Sequence, residues 1–340
     1  MSERHPVRLS VIVPCFEVED RVQECVASVL AYPGEEIEVV AVDDASTDDT
    51  FGVLEATGAK DARLRVLCLP VNQGPGPARN AGLDASVGDY IWFVDADDEL
   101  PPQAVATVLD QLSQTTVDVL IVDHAAVFSA ASVRRRTVDI VGPIDGPTTF
   151  ARCPKLARVG GSACTKIFRR TLLDRTSIRF PPGTYEDAYF SRALLMAAES
   201  IGVLDEVCYR YLQHPQGTVT TTRSSAHFDV FEQYERLFRR IEDAQGALDA
   251  VRPELFRVMI DHYLTIFGNR SRLPDDSRLQ FFRQMAADYV RWLPAGGYPK
   301  PGAVGRVKHR LVRYGAYAPF AALRWAYRLL PRRSPYRRGR

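Results

Sequence analysis

Apolar residues in the first third of the chain come in short dense runs, separated by stretches where they recur about every three to four positions. Leu9–Pro14, Ile37–Val42, Leu64–Leu69, Tyr90–Val94 and Val117–Asp123 are these apolar-rich runs and read as strands; Tyr90–Val94, apolar throughout, predicts a strand covered on both faces. Val18–Ala31, Asp48–Ala56, Pro77–Ala85 and Pro101–Gln111 carry the helical spacing. Ser46-x-x-Asp49 reads as a capping box for the second helix, and Pro77 sits in a first turn, where its missing N–H costs little. Strands alternating with helices predict an α/β fold, a mostly parallel sheet sandwiched by helices.

The rhythm then changes. Ala130–Pro147, with the basic run Arg134–Arg136, reads as a loose excursion. Thr165–Arg169 leads to a helix expected over Asp187–Ala198, and Glu206–Leu212 reads as a strand. From His227 to Trp292 the pattern is helical, divided by Pro253 and Pro274. The expected organisation is an α/β domain over 1–225, a helical extension over 226–293 and a basic amphipathic tail over 294–340.

The formal net charge of +1 conceals an asymmetry: residues 300–340 hold twelve Lys and Arg and no Asp or Glu. Val307, Leu311, Tyr314, Ala318, Ala322, Trp325 and Leu329 recur there at near-helical spacing, giving an interface helix expected to break at Pro319. With the terminal arginines it suits an anionic membrane surface, a solvated tail being the plainer alternative. No nucleic-acid motif accompanies the charge. The six cysteines show no metal-ligand spacing and fit reduced thiols in a cytoplasmic protein. The polar N-terminus gives no signal peptide, and no apolar run is long enough to span a bilayer.

Ligands of open parallel sheets bind beyond the carboxyl ends of the strands, and polar residues collect there. Asp95-Ala96-Asp97 follows the fourth strand. Residues two apart on an extended segment face the same way, so both carboxylates can serve one Mg²⁺ or Mn²⁺. Capping of the helix near Pro101 is the bland alternative. Asp43 and Asp44 suit a nucleoside, or again a helix cap. Asn72, the loop at Gly74 and Arg79 would bring backbone and a cation near phosphates. Glu186-Asp187 offers a general base or ordinary helix-dipole pairing. His214 is a candidate diphosphate or metal contact, and Lys166 and Arg223 are candidate phosphate partners. No G-x-G-x-x-G follows the first strand and no G-K-[ST] occurs, which removes the main support for dehydrogenase and P-loop readings.

Ser10–Phe16, Val42–Asp48, Asn72-Gln73-Gly74 with Ala78–Gly82, and Phe93–Asp98 together resemble the family 2 glycosyltransferases, inverting enzymes of the GT-A fold. Lys166-Ile167-Phe168 and Tyr185-Glu186-Asp187 extend the likeness toward residue 220. The resemblance implies a nucleotide-sugar donor, most often UDP-linked, and a hydroxyl acceptor, with cell-envelope polysaccharide, teichoic-type polymer or glycolipid as product. It also implies Asp97 as metal ligand, Asp95 near the ribose or metal, and Asp187 as base. Pro14, Glu17 and Asp43 would line the base pocket, although Cys15-Phe16-Glu17 departs from the family's usual Tyr and Asn. A non-catalytic nucleotide-sugar-binding module and a nucleotidyl- or phosphotransferase on a similar fold remain the alternatives.

Overall fold

Every residue of the strand Ile37–Asp43 is buried, and only Pro14 of Leu9–Cys15 is partly exposed. Such strands must be covered on both faces. The computed structural model describes residues 7–128, 131–212 and 222–329. In chain order the elements are β1 (Leu9–Cys15), α1 (Val22–Leu30), β2 (Ile37–Asp43), α2 (Thr50–Gly58), β3 (Leu64–Cys68), α3 (Pro75–Ala85), β4 (Tyr90–Phe93), α4 (Ala104–Gln114) and β5 (Val119–Phe128). They continue with β6 (Ala131–Arg135), α5 (Val138–Val141), β7 (Lys166–Arg169), α6 (Arg170–Thr176), α7 (Glu186–Ala197) and β8 (Ile201–Leu212).

The strands form one mixed sheet in the order β3-β2-β1-β4-β7-β5-β6, with β8 on β5. β1 lies between β2 and β4, Leu9 opposite both Ile37 and Tyr90, and all three run parallel, as does β3. Their carboxyl ends therefore share one edge. β7 is inserted antiparallel between β4 and β5. The fold is thus the expected α/β sandwich, with an antiparallel insertion that the spacing of apolar runs did not announce.

The excursion expected near residue 130 contains the edge strand β6 and the short α5. β6 alternates poorly because it is largely exposed. Its Arg134 reaches the buried Asp123 at 3.0 Å and Asp205 at 2.9 Å, so cross-strand ion pairs take the place of an apolar face. The capping box also differs. Helix α2 starts after Asp49 with no side-chain cap, and Ser46 Oγ instead accepts the Glu17 N–H at 3.0 Å.

The chain divides into two compact units, Met1–Gly217 with Glu232–Val251, and Thr218–Phe231 with Arg252–Arg340. The division falls inside α8 (Asp229–Asp243). The second unit holds α9 (Arg252–Gly268), α10 (Arg278–Trp292), α11 (Ala303–Arg313) and α12 (Tyr317–Leu329). Phe256, Tyr263, Phe267, Phe281, Phe282 and Phe320 fill its core. A line of hydrogen bonds, buried at Tyr298 and His309, runs from Tyr298 Oη to His309 Nδ1 and from His309 Nε2 to the half-exposed Asp261, each 3.0 Å, and ties α11 to α9. The break expected at Pro319 falls at Gly315 instead, whose φ of +62° ends α11. Pro319 stands in the first turn of α12, where no N–H is required. No described helix is long and apolar enough to cross a membrane.

Candidate functional site

Backbone geometry at the carboxyl ends of β1 and β2 is held by side chains. Glu17 has φ +51°, and its carboxylate accepts Thr47 Oγ1–H at 3.0 Å. Asp43 is buried and accepts the Ser46 N–H at 3.3 Å. Asp44, equally buried, receives the N–H groups of Gln73 at 2.9 Å and Gly74 at 2.7 Å. Neither aspartate caps α2. Asp44 instead fixes the turn into α3, with Asn72 Oδ1 taking the Gly74 N–H from the other side at 3.2 Å. Gly74 turns at φ +90°, which favours glycine. Gly82 then lets α3 lie against the sheet, for a Cβ there would come within 2.4 Å of Ile12 Cγ2. Pro14 stays partly exposed at the same edge.

That docking carries Arg79 inside. Expected beside phosphates, Arg79 is only 6% exposed and is clamped between two acids. Its Nη1 donates to Glu186 Oε1 and its Nη2 to Asp95 Oδ1, both at 2.7 Å. The reason is local: Asn80, the next residue, clamps the Phe180 backbone through two hydrogen bonds of 2.9 and 3.0 Å. Phe180 stacks on Phe190 of α7 with centroids 3.7 Å apart and meets Phe93 of β4 edge-on at 5.0 Å. One aromatic cluster thus sets α3, β4 and α7 so that the end of β4 and the start of α7 share a single guanidinium. Burial works against the charge on Arg79, but Asp95 and Glu186 hold its pKa above the usual value.

Glu186 and Asp187 open the first turn of α7, after Tyr185 at φ +63°. Burial, and then the neighbouring Asp187, push the Glu186 carboxyl up to about 7, with Arg79 pulling back. Asp187 is raised as well, by burial first and also by Asp95, against Arg79. Both acids are thus less acidic than ordinary carboxylates and therefore stronger as bases.

After β4 the chain turns tightly, Asp98 N–H to Asp95 O at 3.0 Å. Helix α4 begins only at Ala104 and has no side-chain cap, so Asp95, Asp97 and Asp98 are not caps. Asp98 was not among the residues singled out from the sequence. It accepts Tyr209 Oη–H at 2.6 Å and the Leu212 N–H at 2.8 Å, fastening β8 to the site, and Tyr209 Oη also receives the Asp95 N–H. Burial, then Asp95 and Asp97, drive the Asp98 carboxyl up to about 8. The third consecutive-looking acid of this stretch was the available signal for it. Asp97 and Asp98 border a cavity of about 180 Å³ with Asp20, Arg21, Glu24 and Glu99, a wall that favours cations. Asp95 and Asp97 are both partly exposed hard-oxygen donors. They fit an ion such as Mn²⁺ or Mg²⁺, which takes its other ligands from water and phosphate. Among the described residues no group of three or more His, Cys, Asp or Glu is gathered as a metal cage.

Lys166, expected at a phosphate, is fully buried in β7. Its ammonium donates to the carbonyls of Gly160 and Ser162 at 2.7 and 2.8 Å and to Thr165 Oγ1 at 3.3 Å. Burial, then Arg192, lower it to about 7. A strand residue facing inward has carbonyls within reach, so Lys166 holds the loop at 160–165. Arg223 belongs to the second unit, and His214 lies outside the described residues.

A run of parallel strands with carboxylates gathered beyond its carboxyl ends, as in β3-β2-β1-β4 here, is the architecture of nucleotide-binding enzymes. The description "Glycosyl transferase family 2" matches residues 10–176. A glycosyltransferase of Haemophilus influenzae is 30% identical over 197 residues, covering 57% of this chain and 74% of that protein. The poly(ribitol-phosphate) beta-N-acetylglucosaminyltransferase TarS of Staphylococcus aureus is 29% identical over 272 residues, 78% of this chain and 44% of that protein. The crystal structure of S. aureus TarS 1–349 with UDP-GlcNAc superposes with TM-score 0.74 at 22% identity, covering 94% of this chain and 91% of that one. The chain belongs to glycosyltransferase family 2. It spans 44% of the length of TarS and 61% of that of EpsJ from Bacillus subtilis.

Proposed function

We propose that the protein is an inverting glycosyltransferase that moves a sugar from a UDP-linked donor to a hydroxyl of a cell-envelope polymer. The observation that carries this reading is the Arg79 bridge, which joins the Asp95–Asp97 edge to the Glu186–Asp187 turn in one site. Asp187, raised by its burial, is the base. It takes the proton of the acceptor hydroxyl, and the oxygen attacks the anomeric carbon from the face opposite the diphosphate. The new C–O bond forms as the bond to the diphosphate oxygen breaks. That electron pair leaves with the nucleoside diphosphate, so the anomeric configuration inverts.

Asp97 and Asp95 would hold Mn²⁺ or Mg²⁺, which would supply positive charge to the departing diphosphate. Arg79 holds Asp95 and Glu186 in place through its two ion pairs. Pro14, Glu17 and Asp43 would face the nucleoside, while Asp44, Asn72 and Gly74 shape the loop beside it and Lys166 supports the adjoining turn. TarS is named for poly(ribitol-phosphate) and was solved with UDP-GlcNAc, which favours a UDP donor and a polyol-phosphate acceptor here. We assign catalysis to 1–225, with 226–293 as a helical extension. The basic 294–340 segment, which exposes Val304, Val307 and Tyr314, would contact anionic lipid at the inner face of the cell membrane.

The test is a thermal-shift panel of nucleotide diphosphates and nucleotide sugars, with Mn²⁺ or EDTA, on the wild type, Asp97→Asn and Asp187→Asn. A donor near a hundredfold its dissociation constant should stabilise the wild type by about 2.7 kcal/mol. Asp97→Asn should lose the metal-dependent part. Asp187→Asn should keep the shift and lose transfer by about a thousandfold or more. Donor binding with no transfer in any variant or in the wild type would favour a non-catalytic binding module, and full activity of Asp187→Asn would remove it as base.

A further inference from the structure

Three arginines of the second unit, Arg223, Arg270 and Arg278, line one cavity of about 390 Å³ with Asp275, Phe267 and Tyr317. Arg223 pairs with Asp275 at 2.8 Å and gives its Nε–H to the Leu273 carbonyl. Arg278 lies over the Phe267 ring at 4.6 Å and donates through Nη2 to the Phe267 carbonyl, while its Nη1 is buried without a hydrogen-bond partner. Arg270 is exposed, and no ion pair or hydrogen bond engages its side chain among the described residues. Three guanidiniums thus share one carboxylate, leaving a surplus of two positive charges. The pKa of Arg278 is lowered chiefly by its burial; Tyr317 and Asp275 pull it back up, and Arg270 and Arg223 push it down again. Phe267 and Tyr317, edge to face with centroids 6.4 Å apart, supply apolar surface beside the cations.

Guanidinium forks match phosphate oxygens two at a time, and aromatic walls suit the C–H faces of a polyol or sugar. A concave cavity of this size encloses one such group, whereas a bilayer surface calls for a flat or convex basic face. We propose that this cavity binds a phosphodiester group of the acceptor chain, held by Arg223, Arg270 and Arg278. The acceptor assignment rests on the function proposed above; the anion site does not.

The experiment titrates the full chain by calorimetry with a short glycerol-phosphodiester oligomer, with inorganic phosphate, and with phosphatidylglycerol–phosphatidylcholine vesicles. Wild type is compared with Arg270→Gln and Asp275→Asn, both exposed positions where folding is not at risk. Arg270→Gln should weaken oligomer binding about tenfold, equal to about 1.4 kcal/mol, and Asp275→Asn should tighten it about two- to fivefold. Opposite shifts from the two variants separate an anion site from a general loss of structure. The donor thermal shift is measured in parallel. If the donor is not bound yet the oligomer binds with these shifts, the anion site stands and the transfer reading fails. If the donor is bound but the oligomer is not, or its affinity stays within about twofold in both variants, the proposal is overturned and the transfer reading survives. Vesicle binding that follows the two variants while the oligomer does not would also overturn it, in favour of a lipid site.

Discussion

Replacing Arg79 by Met removes a buried cation from between two acids while keeping much of its volume. Asp95 retains 32% of its side-chain exposure and can be resolvated; Glu186, at 9%, cannot. The stranded charge is therefore that of Glu186, with Asp187 beside it. Removing one partner of a buried ion pair costs about 3–5 kcal/mol, and loss of the guanidinium's contact with Phe180, 5.3 Å from the ring centroid, adds about 0.5–1 kcal/mol. The loss should depend on pH. In the wild type Glu186 titrates at about 7 in the folded state against 4.5 when unfolded, so its folded form holds a proton longer and stability falls as pH rises through that window. Without Arg79, one of the groups holding that carboxyl down, the folded value climbs further. The wild type has finished its loss by about pH 7–8, but the variant continues to lose about 1.4 kcal/mol per pH unit for each retained proton. Urea unfolding followed by near-ultraviolet dichroism should show the gap between the two proteins widening from about pH 6.5 to about pH 8.5. Arg79→Met with Glu186→Gln should regain about half the loss or more, because no acid is left stranded at 186. A loss below about 1 kcal/mol at the alkaline end, or one that does not change with pH, would refute the reasoning.

Two further outcomes follow from the same geometry. Asp44→Asn keeps one acceptor and turns an amide donor toward the other of the Gln73 and Gly74 N–H groups, so unfolding free energy should drop by about 2–4 kcal/mol; a change under about 0.5 kcal/mol in urea titrations would show that Asp44 does not hold the entry to α3. Asp98→Asn removes a carboxyl whose pKa rises from 3.8 to about 8 on folding and which therefore costs stability progressively between those values. Relative to the wild type this variant should gain on going from acid to neutral pH, and melting curves that shift in parallel across that range would contradict the assignment.

The half of the sheet that forms the site was legible because its signals are local. An unbroken apolar run such as Tyr90–Val94 requires cover on both faces whatever its neighbours are, and the helical stretches of 229–292 follow from spacing and the two prolines. Strand-end acids could likewise be named from position alone, since parallel strands put their carboxyl ends on one edge. The partners of those acids could not. Arg79 meets Glu186 across 107 positions, and nothing in its flanking residues separates a phosphate-facing arginine from a buried one between carboxylates. Asp44 reads as a nucleoside contact or a helix cap, and Lys166 as a phosphate ligand, until the loops at 72–74 and 160–165 are seen closing on them. β6 stayed hidden because its stabilisation comes from ion pairs with Asp123 and Asp205 rather than from a periodic apolar face. Secondary structure depends on side chains a few positions apart. The role of a polar group depends on its burial and on the charge opposite it, and both are set only when distant elements pack.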